Sequence, residues 1–289
     1  MKTRASSGVN RPESGCAGAI PVRATAPIIR PMVRAKKKWG QHWLASRGLA
    51  DRLVDRMELG PAAEVVEIGP GTGLLTRALL EQGARVTAIE IDPERANDLR
   101  DHAANNSRLR VVEGDVLEAP IEWPSVAVRL VGNLPYNASG PILGWTCSHA
   151  QELQDAHFML QLEVAERVAA VHGNRVYGAL SVHVQWHFEV KLLQKLPPGA
   201  FRPPPKVDSA FVRLTPRDAV APSAHAQRVL RAGFAHRRKT LRKALAHAGW
   251  APDVVAEGLA GEALAEDARA EALAPDVWLR FAESLPRAS

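Results

Sequence analysis

The sequence has few cysteines and no long apolar run. Its 289 residues include only Cys16 and Cys147, too few and too far apart to predict a disulfide framework or a metal cluster. No apolar run approaches the ~18 residues of a membrane span. Apolar residues still make up 46% of the chain, enough to bury a core. We therefore expect a cytoplasmic protein with free thiols, without a bound metal.

Acidic residues are nearly missing from two stretches of the chain. Residues 1–34 hold a single acid, Glu13, and five arginines, and they show no periodicity. We predict a disordered basic arm there, either an organelle transit peptide or an over-extended start with Met32 as the true one. Residues 219–252 hold no acid at all, and the net charge is +6. This imbalance favours a polyanionic partner.

The acid-free stretch lies in an alanine-rich region, residues 216–289, whose pattern predicts a small all-helical domain. We expect its basic side chains on one helix, where no acid occupies the neighbouring turns. They predict a surface that follows phosphates, and a solvated helix face is the alternative. The residues concerned are Arg237, Arg238, Lys239, Arg242 and Lys243.

A strand-like apolar run meets three alternating glycines at residues 65–73, and helical periodicity follows. We expect Thr72 to cap that helix and Gly83 to end it, with Leu75, Ala78 and Leu79 on one buried face. A strand, a glycine turn and a helix in this order let a ligand approach the backbone. A tight turn without a ligand is the alternative.

Acids lie at the ends of the next two predicted strands, residues 85–92 and 109–115. Glu90 lies 17 residues beyond Gly73, where a nucleoside-binding fold places an acid for the ribose hydroxyls. Asp115 could accept a hydrogen from the amino group of an adenine, or it could be a turn residue after Gly114. Both acids are candidates for one nucleoside site.

A fourth predicted strand, residues 126–132, runs into Asn133-Leu134-Pro135-Tyr136, the most specific segment of the chain. The Asn133 carboxamide and a neighbouring carbonyl can accept hydrogens from an exocyclic amine, and Tyr136 offers a stacking face. Phe201, beside a proline-rich loop at 197–209, could stack on the other side of a base or pack in the core. The alternative for Tyr136 is a buried residue in a strand-end turn.

The remaining segments carry weaker signals. Lysines 36–38 precede Trp39 and Trp43, a pattern that can hold phosphates and bases or form a solvated charge run. Alternation over residues 179–193 predicts one or two strands. His183 and His187 lie in this stretch without a cysteine or carboxylate at ligand spacing, so we expect them to be structural histidines with satisfied ring nitrogens.

Taken together, these motifs resemble the ribosomal RNA adenine N6-dimethyltransferases over residues 35–245. The matching segments are Gly40-Gln41-His42 with Leu44, residues 67–73, Ile89-Glu90, Gly114-Asp115, residues 133–136, residues 203–209 and residues 234–241. Trp39 and Trp43 stand where phenylalanine is usual, which affects the shape of the entrance. The resemblance implies dimethylation of adjacent adenines in a small-subunit (16S-type) rRNA hairpin during ribosome biogenesis.

The resemblance also implies site residues. Those expected to contact S-adenosylmethionine are His42, Leu44, Gly69, Gly71, Glu90, Asp115 and Asn133. Those expected to hold the target adenine are Asn133, Leu134, Tyr136 and Phe201. Those expected to contact RNA are Lys36, Lys37, Lys38, Lys206, Arg237, Arg238, Lys239, Arg242 and Lys243.

The implied architecture is an α/β, Rossmann-like methyltransferase domain at 35–215, preceded by the arm at 1–34 and followed by a helical RNA-binding domain at 216–289. We expect a monomer that acts on rRNA in a pre-ribosomal particle. Three alternatives stay open: a large-subunit rRNA adenine methyltransferase of the antibiotic-resistance type, a DNA adenine methyltransferase, and a non-catalytic assembly or transcription factor.

Overall fold

The computed structural model describes residues 41–103, 106–118, 123, 127–218 and 221–287. The predicted N-terminal arm and lysines 36–38 lie outside these ranges. The strands are β1 (Trp43–Leu44), β2 (Glu64–Ile68), β3 (Arg85–Glu90), β4 (Leu109–Glu113), β5 (Val128–Asn133), β6 (Leu153–Gln161), β7 (Phe188–Leu196), β8 (Phe201–Arg202) and β9 (Ser209–Pro216).

Helices alternate with the first strands and then dominate the end of the chain. The α-helices are α1 (Arg47–Asp55), α2 (Leu74–Glu81), α3 (Pro93–Ala103), α4 (Ser139–Ser148), α5 (Leu162–Val168), α6 (Ala179–His187), α7 (Ala224–Phe234), α8 (Leu241–Ala246), α9 (Pro252–Gly261) and α10 (Pro275–Ser284). Short 3₁₀ helices cover Ala150–Glu152, Pro198–Ala200 and Ala270–Ala272. None of the helices in the described ranges is long and apolar enough to cross a bilayer.

Seven of the described strands form one sheet, in the order β4-β3-β2-β5-β6-β9-β7. Strands β2 to β6 are parallel, and β9 runs antiparallel between β6 and β7. The chain moves outward from β2 in one direction through β3 and β4, and in the other through β5 and β6. Such a reversal leaves a crevice at the carboxyl ends of β2 and β5. The parallel strands and the helices that alternate with them confirm the predicted α/β class.

The central strands are buried on both faces, as parallel strands between helices usually are. Val66 and Ile68 of β2 pack in one apolar cluster, together with residues of α4, α5 and α6. Val65 points the other way and joins α1 and α2 in a second cluster. The alternation of β2 therefore divides its side chains between two cores.

The start of α2 differs from the prediction. The residue before the helix is Gly73 (φ +69°), which makes no side-chain capping bond, so Thr72 is not the cap. The glycine turn enters the helix in a left-handed conformation that glycine adopts readily, and this shifts the cap by one residue. Leu75, Ala78 and Leu79 are buried as predicted, and the helix ends just before Gly83.

The strand prediction for residues 179–193 is wrong in its first half, which forms α6. Val184 packs against the sheet cluster, whereas Val182 and Trp186 pack in a third cluster among the C-terminal helices. Because α6 is buried on two opposite faces, its apolar residues alternate and hide the helical period. The second half of the stretch is extended, as predicted, and forms the start of β7.

The C-terminal helices share a core with α6. Trp278 is fully buried there. The Tyr177 hydroxyl donates to the Leu273 carbonyl (2.9 Å), and the Trp186 indole donates to the Pro275 carbonyl (2.8 Å). Burial raises the pKa of Tyr177 above its usual value, which keeps the phenol a neutral donor. Side-chain bonds to fixed carbonyls and the shared apolar cluster thus join the helical region to α6.

Two helical glycines predict opposite responses to the same substitution. A Cβ at Gly144 in α4 would meet nothing within 4 Å, whereas one at Gly233 in α7 would lie 2.5 Å from the Trp278 ring. Gly144→Ala should raise the free energy of unfolding by ~0.5–1 kcal/mol, because it restricts the unfolded chain. Gly233→Ala should lower it by ~1–3 kcal/mol through overpacking. Urea unfolding of both variants tests the packing, and wild-type stability of Gly233→Ala would contradict it.

Candidate functional site

A cavity of about 270 Å³ opens at the carboxyl edge of the sheet, at the crevice between β2 and β5. This volume lies near the lower end for ligand pockets, roughly 300–1,000 Å³. The predicted residues that line it are His42, Gly69, Gly71, Glu90, Asp115, Asn133, Leu134 and Tyr136. Segments more than 90 residues apart in the chain therefore meet around one space.

The glycine corner is the first wall of this cavity. Gly69 and Gly71 both have positive φ angles, +65° and +53°. The Gly69 amide donates to the Ile89 carbonyl (2.9 Å), and a Cβ at Gly69 would meet nothing within 4 Å. A Cβ at Gly71 would lie 2.5 Å from the Trp43 ring. The corner therefore presents bare backbone and open volume to a ligand, with Trp43 packed closely against Gly71.

Glu90 forms the second wall, at the end of β3. Its side chain is 3% exposed. One carboxylate oxygen accepts the Gly71 amide (3.0 Å) and the other accepts the Asp92 amide (2.9 Å). Burial raises the pKa of Glu90, and these two amide bonds oppose the rise. Each oxygen keeps a further lone pair, so the carboxylate can still accept hydroxyl hydrogens.

Asp115 follows β4 and lines the same cavity. Its Oδ1 accepts the Leu117 amide (3.0 Å), a local turn bond that fixes the carboxylate. Asp115 can therefore be a turn residue after Gly114 and still accept a hydrogen from a ligand. The second oxygen is available for an amino group.

The Asn-Leu-Pro-Tyr segment (residues 133–136) forms the third wall. The Asn133 amide nitrogen donates to the His42 carbonyl, which can only accept. This bond assigns the orientation of the carboxamide and leaves Oδ1 as an acceptor for another partner. The Leu134 amide donates to the Met159 carbonyl (3.2 Å) and fixes the backbone of the turn.

Tyr136 is held at both ends. Its hydroxyl forms a hydrogen bond with Ser209 Oγ (2.7 Å), and burial raises its pKa. Its ring stacks on His42, with centroids 5.3 Å apart and planes at 25°. His42 Nδ1 in turn donates to the Pro203 carbonyl (2.8 Å). The proline-rich loop therefore reaches the cavity through His42 and Tyr136.

Two predicted site residues are not brought to this cavity. Leu44 and Phe201 lie opposite each other in the two-stranded β1–β8 ribbon. Phe201 is fully buried and packs with Leu44 in the cluster below α1 and α2. The packing alternative for Phe201 describes this position, because a ring with no exposed face cannot stack on a base. Leu44 borders a smaller cavity of about 20 Å³ next to the main one.

Glu67 was not predicted as a site residue, although it lies beneath the glycine corner. It is 1% exposed and accepts the Thr76 hydroxyl (2.6 Å). Burial raises its pKa to about 8, against 4.5 in the unfolded chain, and the nearby Glu90 adds to the rise. The sequence signal that could have identified Glu67 is an acid at an inward-facing position of a strand that is buried on both faces. Such an acid needs a partner or a proton.

The basic side chains of the helical region are arranged differently from the prediction. Arg237, Arg238 and Lys239 lie in turns between α7 and α8, because Thr240 caps α8. Arg242 forms an ion pair with Glu266 (2.9 Å), so an acid 24 residues away compensates it. Arg237 donates to the carbonyl of Arg175 (2.6 Å).

Most of the other basic residues that were predicted to contact RNA are exposed to solvent, within the described ranges. Lys239 forms a hydrogen bond with the His247 ring. Arg238, Lys243 and Lys206 are exposed, and within the described ranges none of the three is paired with an acid. Lys206 follows the prolines of the loop that contacts His42. Among the predicted cations within the described ranges, Arg238, Lys243 and Lys206 are therefore those most open to a polyanion.

Comparison with known proteins gives one consistent family. The model of the ribosomal RNA adenine dimethylase family matches residues 32–286. The ribosomal RNA small subunit methyltransferase A of Xanthomonas campestris pv. campestris (strain B100) is 48% identical over 242 residues, covering 78% of this chain and 92% of its own length.

Solved structures agree with this result. A dimethyladenosine transferase from Plasmodium falciparum is 25% identical, with a TM-score of 0.72 and coverage of 83% of this chain and 96% of its own. The 23S rRNA methyltransferase ErmE is 30% identical, with a TM-score of 0.64 and coverage of 85% and 100%. This chain therefore shares its fold with both, over nearly the whole of each solved structure.

Glu67 predicts an unusual dependence of stability on pH. Because its folded pKa of about 8 exceeds 4.5, the stability that the bound proton confers is complete below pH 4.5 and is lost as the pH rises to about 8. Within this window the loss is roughly 1.4 kcal/mol per pH unit. Glu67→Gln keeps an acceptor for Thr76 and cannot ionise, so its unfolding free energy should vary less between pH 5 and 8.

Glu64→Gln is the matched control, since Glu64 lies on the same strand and is partly exposed, 3.7 Å from Arg85. It should retain the wild-type slope. Urea unfolding at several pH values measures all three proteins. Equal slopes in wild type and Glu67→Gln would contradict the assignment.

Proposed function

The chain belongs to the ribosomal RNA adenine dimethylase family, and from this premise we propose that it dimethylates N6 of adjacent adenines in a small-subunit rRNA hairpin, with S-adenosylmethionine as donor. The observation that carries the proposal is the single cavity. The glycine corner, two acids and the Asn-Leu-Pro-Tyr segment surround the same space. The protein is thus a methyltransferase whose parts for donor and acceptor are adjacent.

The residues present fit S-adenosylmethionine. Glu90 keeps lone pairs for the ribose hydroxyls, Asp115 has a carboxylate oxygen for the adenine amino group, and the open space over Gly69 leaves room for the chain of the donor. When bound, this donor supplies an electrophilic methyl group on a sulfonium that departs as a neutral thioether. His42 and Asn133 would border it on the side of the acceptor.

Asn133 and Leu134 would hold the reacting amine. The lone pair of adenine N6 is delocalised into the ring, so the amine is a weak nucleophile. Asn133 Oδ1, oriented by the bond from its amide to His42, and the Leu134 carbonyl would accept the two N6 hydrogens. This grip would turn the lone pair toward the methyl group, so catalysis comes mainly from positioning and electrostatics. No general base is required, because the proton can leave after transfer.

Tyr136 would support the ring of the target adenine. The bond to Ser209 fixes its hydroxyl, and His42 covers one ring face, which leaves the opposite face for a base. Phe201 would have to leave the core to act as a second stacking surface, so we assign stacking to Tyr136. The base must leave its stack to enter, which fits an adenine in an RNA loop.

The substrate test uses isolated ribosomal subunits from cells that lack this protein and a radioactive methyl donor. Label in the small-subunit rRNA that is sensitive to RNase and maps to two adjacent adenines supports the proposal. Label in large-subunit rRNA would instead assign the chain to the antibiotic-resistance type. Donor binding without transfer to either subunit would indicate an assembly factor.

Asn133→Ala should reduce kcat by about 10²–10³-fold, comparable to the loss of a group that stabilises the transition state. The affinity for RNA should stay nearly unchanged, because phosphate contacts dominate it. Single-turnover transfer and filter binding measure the two quantities. Asn137→Ala is the matched control: its exposed carboxamide also lines the cavity but lies beyond the segment. Unaltered turnover of Asn133→Ala would refute the role.

The exposed cations should contribute more to RNA binding than the ion-paired Arg242 does. Arg238→Gln and Lys243→Gln should weaken RNA binding and lower the slope of log affinity against log salt by about 0.7–0.9 for each phosphate that is no longer neutralised. Arg242→Gln is the comparison, and we expect a smaller effect because Glu266 already neutralises that charge. Binding titrations at several salt concentrations measure the slopes. Equal effects of all three substitutions would contradict this ranking.

A further inference from the structure

A cluster of metal-ligating side chains lies where α4 packs against α6, outside the cavity. Cys147 near the end of α4 is 3% exposed, and it approaches His183 and His187 of α6. One ligand atom from each of the three lies within 4.8 Å of the other two. No cysteine lies at ligand spacing from these histidines in the sequence, and Cys147 reaches them because α4 and α6 meet in the folded chain.

The two histidines suit a common ligand. His183 and His187 are four residues apart, so they share one helix face, and their ring centroids are 5.5 Å apart. The Nε2 atom of His187 is buried and has no hydrogen-bond partner within the described ranges. A buried nitrogen in this state costs free energy that a bound ion would recover. His187 is thus not the satisfied histidine that we expected.

The donor set selects the class of metal. A thiolate and two imidazoles favour zinc or another borderline-soft ion over magnesium or calcium. Zinc binds sulfur at about 2.3 Å and nitrogen at about 2.0–2.1 Å, which places its ligands roughly 3.5 Å apart. The ligand atoms of the three side chains lie within 4.8 Å of one another. Rotation of the side chains would bring them to the separation that zinc requires.

The protonation states have opposing effects. Burial lowers the pKa of His183 and lowers that of His187 to about 4, so both rings are neutral and ready to bind. Burial raises the pKa of Cys147 to about 12, so a metal must displace the thiol proton. Arg231 of α7 also lowers the pKa of His183 and repels a cation, and the thiolate offsets this charge.

We propose that Cys147, His183 and His187 bind a zinc ion that joins α4 to α6. Its role is structural. Cys147 lies near the end of α4, which begins at Ser139 just after the Asn-Leu-Pro-Tyr segment, and α6 shares its other face with the C-terminal helices. A bound ion would therefore stabilise the junction between the sheet and the helical region. It would not enter the methyl-transfer chemistry.

The direct test titrates Co²⁺ into the full-length, untagged, metal-free protein carrying Cys16→Ser, so that Cys147 is the one thiol. We expect saturation at one equivalent, with tetrahedral cobalt bands, a thiolate-to-cobalt charge-transfer band and displacement of both by Zn²⁺. Absence of the charge-transfer band at stoichiometric cobalt would overturn the proposal. This result requires no variant of the three ligands, so it does not depend on whether such variants fold.

Variants then assign the ligands. Cys147→Ser should abolish the charge-transfer band, and His183→Gln or His187→Gln should weaken cobalt affinity at least about tenfold. The matched control is His236→Gln with His247→Gln, an exposed pair whose ring centroids are 5.2 Å apart. It should leave the titration unchanged. An unchanged band in His187→Gln, or one abolished only in the control, would overturn the assignment.

Measurements of thermal stability and of methyl transfer distinguish a structural role of the zinc ion from a catalytic one. One equivalent of Zn²⁺ should raise the Tm of the wild-type protein and leave that of Cys147→Ser unchanged. Methyl transfer by His187→Gln should stay near wild type at a temperature where the variant is folded. A wild-type Tm that does not respond to Zn²⁺ would overturn the proposed role.

Discussion

The hydrogen bond from the Gly71 amide to the Glu90 carboxylate is the interaction on which the cavity depends. It joins the loop after β2 to the end of β3, and the second carboxylate oxygen accepts the Asp92 amide at the start of α3. One buried side chain thereby fixes two loops at the point where the sheet reverses direction. Two amide donors offset part of the cost of burying its charge. The Gly69 amide, which donates to the Ile89 carbonyl of β3, supports the same corner from the backbone.

The spacing of the motifs predicted these parts of the site because strands β2 to β6 are parallel. The carboxyl ends of parallel strands lie at one edge, so an acid or amide at the end of such a strand, or just beyond it, is brought to that edge. Glu90, Asp115 and Asn133 each satisfy this rule, and each lines the cavity. The prediction used only local information, namely where each strand ends and which residues lie at that end. The fold class and the main walls of the site follow from such information.

Contacts between distant segments explain what the sequence did not reveal. The strand prediction failed at α6 because a helix buried on two faces loses its polar side, and that requires knowing both neighbours. Phe201 is covered because β8 pairs with β1, and Arg242 is neutralised by Glu266, which follows much later in the chain. Cys147 meets two histidines for the same reason. No periodicity or spacing contains these pairings.

Two buried acids at the cavity, Glu67 and Glu90, have different hydrogen-bond partners. Glu67 and Glu90 interact, and two carboxylates in one apolar region do not both ionise cheaply. The pKa of about 8 keeps Glu67 mostly protonated at neutral pH, with Thr76 donating to it. Burial raises the pKa of Glu90 as well, but two amide bonds and the nearby Arg95 oppose the rise. The fold therefore keeps the acid behind the glycine corner mostly protonated, and it supplies an amide donor to each oxygen of the acid that lines the cavity.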